Sequence, residues 1–140
     1  LGAKIIATEQ YPQGLGRTVA PIAERLGAAG AKVIEKIDFS ACDSHDFERA
    51  FAAAGCRSAV VIGMETHVCV FQTVRELCAR GINVHVPLDG VASRRDDHRA
   101  AGLELCRAAG ATITTSETLA FDWLRRAGTE PFKRISKLIR

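Results

Sequence analysis

Apolar residues follow two alternating rhythms along the chain. Short apolar runs read as buried strands: "AKIIAT" (3–8), "AKVIEKI" (31–37), "SAVVIGM" (58–64), "NVHVPLDG" (83–90) and "ATITTS" (111–116). Of these "SAVVIGM" is the strongest and "AKVIEKI" the most polar. Between them lie stretches with apolar residues at helical spacing. They are "RTVAPIAERLGAAG" (17–30), "DSHDFERAFAAAG" (43–55), "HVCVFQTVRELCARG" (67–81) and "SRRDDHRAAGLELCRAAG" (93–110). Two more helices, "SETLAFDWLRR" (116–126) and "EPFKRISKLIR" (130–140), close the chain. Asp43 and Ser44 are possible helix caps, and Ser93 with Asp96 has capping-box spacing. The alternation of strand and helix with short connections predicts an α/β fold, with a mostly parallel sheet covered by helices on both faces.

In such sheets ligands sit beyond the carboxyl ends of the strands. Three polar clusters follow strands there: "TEQYPQGLG", "EKIDFS" and "GMETHVC". The third carries Cys69 on the first turn of a helix. Val70, Phe71, Val74, Leu77 and Cys78 form one apolar stripe on that helix. At roughly 100° per residue, Cys69 lies about 140° from the middle of the stripe. Cys78 therefore reads as core, and Cys69 points elsewhere. A helix N-terminus favours a thiolate through its free N–H groups, and such a nucleophile needs a base or cation nearby. Lys36 ends a strand at the same predicted sheet edge. By itself it reads more readily as a solvated strand-end lysine.

Bulk properties narrow the function classes. The chain has 140 residues, a length for one domain, with 47% hydrophobic and 25% charged residues. The formal charge of +3 is spread along the chain, unlike the concentrated basic face of a nucleic-acid binder. No apolar stretch reaches membrane-spanning length, and "LGAKIIATEQ" lacks the features of a signal peptide. Five cysteines with no C-x-x-C pair argue against a disulfide framework or structural zinc, and for a reducing, cytoplasmic setting. "GLGRTV" (14–19) has two glycines of a dinucleotide fingerprint, but Val19 replaces the third and "EQYP" separates it from the strand.

"TEQYPQGLGRTV", "GMETHVCVFQTVRELCARGINVHVPLDGVASR" and "TTSE…EPFKRISKLIR" together resemble the isochorismatase-like cysteine hydrolases, in the branch of isochorismatase domain-containing proteins. The resemblance covers nearly the whole chain in order. It implies a three-layer α/β/α sandwich and an Asp-Lys-Cys triad, with Cys69 as nucleophile and Lys36 as the triad lysine. It further implies a non-proline cis peptide at Met64-Glu65, which would bring the backbone N–H groups of Glu65 and Cys69 together as an oxyanion hole. Gln10, Tyr11, Phe39, Thr66 and His67 would line the substrate pocket.

One departure matters. The family's triad aspartate lies in a D-x-Q motif on a first strand, and no Asp precedes Asp38 here. Residues 1–140 are thus expected to be an N-terminally incomplete hydrolase domain. The alternative is a catalytically inactive binding or scaffold protein of the same fold. The implied reaction is hydrolysis of a small amide or related C–N bond through a thioester. Vinyl-ether cleavage fits less well, since the true isochorismatases do not need a cysteine. No metal is expected, because Asp43 and His45 lack the spacing of the nicotinamidase site. No cofactor, nucleic-acid partner or membrane partner is expected, and a homo-oligomer is. A redox-sensor role for Cys69 lacks a resolving cysteine close in sequence. The closing segment is expected to dock through Phe132, Ile135, Leu138 and Ile139, with Pro131 in its first turn.

Overall fold

A computed structural model describes residues 2–139. Among these residues seven strands and seven α-helices are interleaved along the chain. Strands β1 (Ile6–Gln10) and β2 (Lys32–Lys36) flank the short helix α1 (Pro12–Leu15) and helix α2 (Ala20–Ala28). Helix α3 (His45–Ala54) follows a 3-10 turn at Ala41–Asp43. Next come β3 (Ser58–Val60), β4 (Gly63–Met64), a π-helical turn at Thr66–Val70 and α4 (Phe71–Ala79). The remainder is β5 (Asn83–Pro87), β6 (Val91–Ala92), α5 (Asp96–Ala108), β7 (Thr112–Thr114), α6 (Ser116–Leu124) and α7 (Glu130–Ser136).

Every strand pair is parallel, as the α/β alternation predicts. The strands form three ladders, not one sheet: β1–β2, β3–β5–β7 and β4–β6. Gln10 lies opposite Lys36 in the first, which puts both residues at the carboxyl end of the pair. The segment 58–64, expected as one strand, is divided. Its partner β5 ends at Pro87, which has no N–H to donate, and the chain turns through a Gly90 N–H to Pro87 carbonyl bond of 2.9 Å. Residues 63–64 therefore pair with β6 instead, and Gly63 makes the shift at φ 120°, a region that favours glycine.

The core lies between these ladders and α3, α4 and α5. Ile34, Phe47, Val70, Val74, Leu77, Val84, Val86 and Cys106 are buried in it. Val74 and Leu77 of α4, with Val70 just ahead of it, come from the expected apolar stripe, while Phe71 and Cys78 sit half-buried at its margin. The Ser44 hydroxyl accepts from the Phe47 N–H and caps α3, and the rings of Phe47 and Phe51 stack at 5.6 Å. At the other end of the chain, α7 meets α6 through Phe121 and Phe132, centroids 6.1 Å apart. Its apolar face is only half covered, and Leu138 is 84% exposed. Among the described residues, no helix is long and apolar enough to cross a membrane.

Candidate active site

The two residues singled out for catalysis meet at one oxygen. Lys36 is the last residue of β2 and is only 7% exposed. Its ammonium donates to Gln10 Oε1 at 2.5 Å and to the carbonyls of Asp38 and Phe39, each at 2.9 Å. The Cys69 thiol lies 3.8 Å from the same Gln10 oxygen. Gln10 in turn donates through Nε2 to the Ile37 carbonyl, which fixes the direction of its amide. Burial pulls Lys36 below its ordinary pKa, while charge on Cys69 and Asp38 acts the other way. Gln10 therefore bridges cation and thiol, a more central place than the pocket wall expected for it.

Cys69 sits in the π-helical turn, not on an α-helical first turn. The Glu65 carbonyl accepts from the N–H groups of Val68 at 3.1 Å and Val70 at 3.2 Å and bypasses that of Cys69. The peptide between Met64 and Glu65 is cis. Such turns interrupt the regular helical ladder and frequently mark functional positions.

The turn is held from two sides. Thr66 is fully buried; its hydroxyl donates to the Ala92 carbonyl at 2.8 Å, and its N–H donates to Ser93 Oγ at 3.1 Å. The Thr66 side chain thus anchors the turn to β6. His67 faces the same way, with Nδ1 3.1 Å from Ser93 Oγ and 3.8 Å from Glu65 Oε2, and its ring lies 4.6 Å from that of His98. Glu65 also reaches Arg94, through its backbone N–H at 3.2 Å and its side chain at 3.4 Å. Ser93 does not cap α5. That helix begins two residues later than the capping box requires, after an Arg95 that makes no side-chain cap. On the other side, the Thr73 hydroxyl bonds the Cys69 carbonyl. Gly102 of α5 packs against the turn so closely that a Cβ there would sit 2.7 Å from the His67 nitrogen.

Tyr11 and Phe39 are both exposed near this edge. The Tyr11 N–H donates to the Lys36 carbonyl at 2.8 Å, and its ring covers Gly14. Neither residue touches Cys69 through a hydrogen bond. Glu9, which drew no attention in the sequence, is buried and organises the loop around "GLGRTV". It accepts from the Thr18 N–H at 2.7 Å and from Arg17 at 3.1 Å, and Arg17 also pairs with Glu35 at 2.8 Å. The Thr18 N–H, and then the Arg17 charge, hold the Glu9 carboxyl below its usual pKa. A polar residue inside the run "IIATEQ" is the signal that could have found it. All five cysteines are free thiols. Among the described residues, no three His, Cys, Asp or Glu side chains gather as a metal site would require.

The family model of the isochorismatase domain matches residues 1–118, which include Gln10, Lys36 and Cys69. The chain belongs to the isochorismatase family. It is 39% identical over 140 residues to isochorismatase domain-containing protein 2 of Bos taurus, covering all of this chain and 66% of that protein. It is 38% identical over 143 residues to the secreted isochorismatase effector Isc1 of Phytophthora sojae, again over its full length and 68% of the relative. The solved structure of a Caenorhabditis elegans protein described as MAR1 ribonuclease superposes with a TM-score of 0.88 at 38% identity. That match covers 97% of this chain and 69% of the other. The isochorismatase domain here thus spans about two thirds of the length of these relatives.

Proposed function

We propose that this isochorismatase domain belongs to a hydrolase that cleaves a small amide or related C–N bond with Cys69 as nucleophile. The observation that carries the reading is the convergence of the Cys69 thiol and the buried Lys36 ammonium on Gln10 Oε1. In the proposed reaction the Cys69 sulfur, having given up its proton, attacks the substrate carbonyl carbon. The carbonyl π pair moves to oxygen, where the N–H groups of Glu65 and Cys69 receive it. Collapse of this adduct breaks the C–N bond, and the amine leaves with a proton. Water then attacks the thioester, releasing the acid and restoring the thiol. Lys36 holds the anionic species by charge throughout.

The base that takes the thiol proton is, by family resemblance, an Asp on a strand ahead of those described. Support comes from the sheet: among the described residues β1 pairs only with β2, and β3 only with β5, so each keeps one free edge for a parallel strand. We therefore read residues 1–140 as part of a working hydrolase and not as an inactive scaffold. Unpaired thiols support a reducing, cytoplasmic setting. Exposed Trp123, Leu138 and Ile139 near the chain's end support a homo-oligomer.

The test uses the full-length protein and a panel of small amides, with intact-mass detection of an acyl adduct. An acyl group on Cys69, lost in Cys69→Ala together with turnover, is the expected result. Hydrolysis that survives Cys69→Ala, or RNA cleavage with no amide turnover, would overturn the proposal.

A further inference from the structure

We propose that Thr73 is a positioning residue that sets the nucleophile Cys69 against the cation Lys36; this rests on the cysteine-hydrolase reading above. Thr73 is buried in α4, four residues after Cys69. Its hydroxyl uses both of its capacities. It donates to the Cys69 carbonyl at 2.7 Å and accepts from the Ala41 N–H at 2.9 Å. Ala41 opens the 3-10 turn just after Phe39, whose carbonyl takes a hydrogen bond from the Lys36 ammonium. A short polar path therefore runs from the Cys69 backbone through one hydroxyl to the loop that cradles Lys36.

This tie matters because of where it lies. Lys36 belongs to the β1–β2 ladder and Cys69 follows β4, and no backbone ladder joins these groups. Among the described residues, two other polar ties join the segment up to Cys56 with the rest of the chain. One is the Cys69–Gln10 contact itself, and the other is the half-exposed Arg80–Glu48 pair. Thr73 supplies the buried one. A threonine back-bonded to the carbonyl four residues earlier is slightly unfavourable for a helix on its own. Here that bond fixes the carbonyl of the nucleophile residue where the helix passes from π to α geometry.

The experiment measures the pH–rate profile of Cys69 alkylation by iodoacetamide in the full chain, for Thr73→Val, Thr73→Ser and each combined with Lys36→Met. The charged group nearest the Cys69 thiol across Gln10 Oε1 is Lys36, and Asp38 in turn acts on Lys36. Thr73→Val should slow alkylation at neutral pH by about three- to tenfold, in the lower part of the range for side chains coupled through one network. It should also move the profile to higher pH, and Thr73→Ser should restore the wild-type curve. In the Lys36→Met background Thr73→Val should slow nothing further, whereas a residue that only supports the fold would slow both backgrounds alike. If Lys36→Met leaves alkylation unchanged, the nucleophile–cation reading fails. If Lys36→Met slows it while Thr73→Val does not, the Thr73 proposal alone fails. Should Thr73→Val not fold, amide exchange at Ala41 in the wild type decides: protection supports the bond to Thr73, and exchange as fast as an open loop overturns it.

Discussion

Replacing Lys36 with Met keeps the length of the side chain and removes its charge. Both Lys36 Nζ and Cys69 Sγ contact Gln10 Oε1, at 2.5 and 3.8 Å, so the two lie at most about 6.3 Å apart. At an effective dielectric of about 20, unit charges at that limit attract by about 2.6 kcal/mol. A Cys69 thiolate should lose stabilisation of that order in Lys36→Met, close to two powers of ten in the equilibrium between thiolate and thiol. A less stabilised thiolate is also the better nucleophile, and a Brønsted slope of about 0.4–0.5 returns nearly half of the logarithm. The net expectation is a roughly tenfold slower alkylation of Cys69 at pH 7. The assay is iodoacetamide labelling with peptide mapping, which reads the other thiols as controls. Burial raises Cys42 and Cys106 to about 11 and lifts Cys78 as well. Exposed Cys56 is the internal reference for reagent strength. The fold should survive, because removing a buried ammonium also removes its desolvation cost. A change of less than twofold at Cys69, with Cys56 unaltered, would refute the electrostatic pairing of Lys36 with the thiol.

Three further outcomes follow from the same geometry. Ser93→Ala leaves the Thr66 N–H without its acceptor in a fully buried residue, so denaturant unfolding should show a loss of about 1–3 kcal/mol; an unchanged midpoint would mean that Ser93 holds nothing. Gly102→Ala places a Cβ against His67 and Thr66 backbone atoms at 2.7 and 2.8 Å and should cost about 1–3 kcal/mol, with slower Cys69 alkylation, since α5 must move off the turn that carries Cys69; a wild-type Tm and alkylation rate would sink this. Glu9 is more acidic folded than unfolded, so its contribution is present above its ordinary value of 4.5 and disappears as pH falls through the lower folded value. Glu9→Gln should accordingly lower Tm at pH 7, and the gap to wild type should close in acid; a gap that persists at pH 3 would contradict the assignment.

The elements were legible because their signals are local and periodic. The stripe Val70, Val74, Leu77 places α4 against the core by spacing alone. The Ser44 cap and the Phe47–Phe51 stack follow from residues three and four positions apart. Features of the site that escaped the sequence depend on partners far along the chain. Ser93 has the spacing of a capping box, but that pattern scores only what lies three residues ahead. The Thr66 N–H, 27 positions earlier, holds its hydroxyl instead. Thr73 lies in the helix, and nothing in its neighbours announces Ala41 as a partner 32 positions away. The division of segment 58–64 has a similar cause, since it is decided by where β5 meets Pro87 and turns.

The same distinction explains why Cys69 could be singled out from the sequence while its setting could not. A cysteine off the apolar stripe, just past a buried strand, is visible from one helix alone. Whether it meets a cation depends on Gln10 and Lys36, which stand opposite each other only because β1 and β2 pair in register. One residue of slip in that ladder would turn either side chain to the other face and separate the ammonium from Gln10 Oε1. The register is held at its far end by the Tyr11 N–H to Lys36 carbonyl bond and at its flank by Arg17, which spans Glu9 of one strand and Glu35 of the next. The loop "GLGRTV" that superficially suggests a nucleotide cradle thus acts on the candidate site at a distance, by delivering Arg17 across the two strands whose alignment brings Lys36 to the thiol.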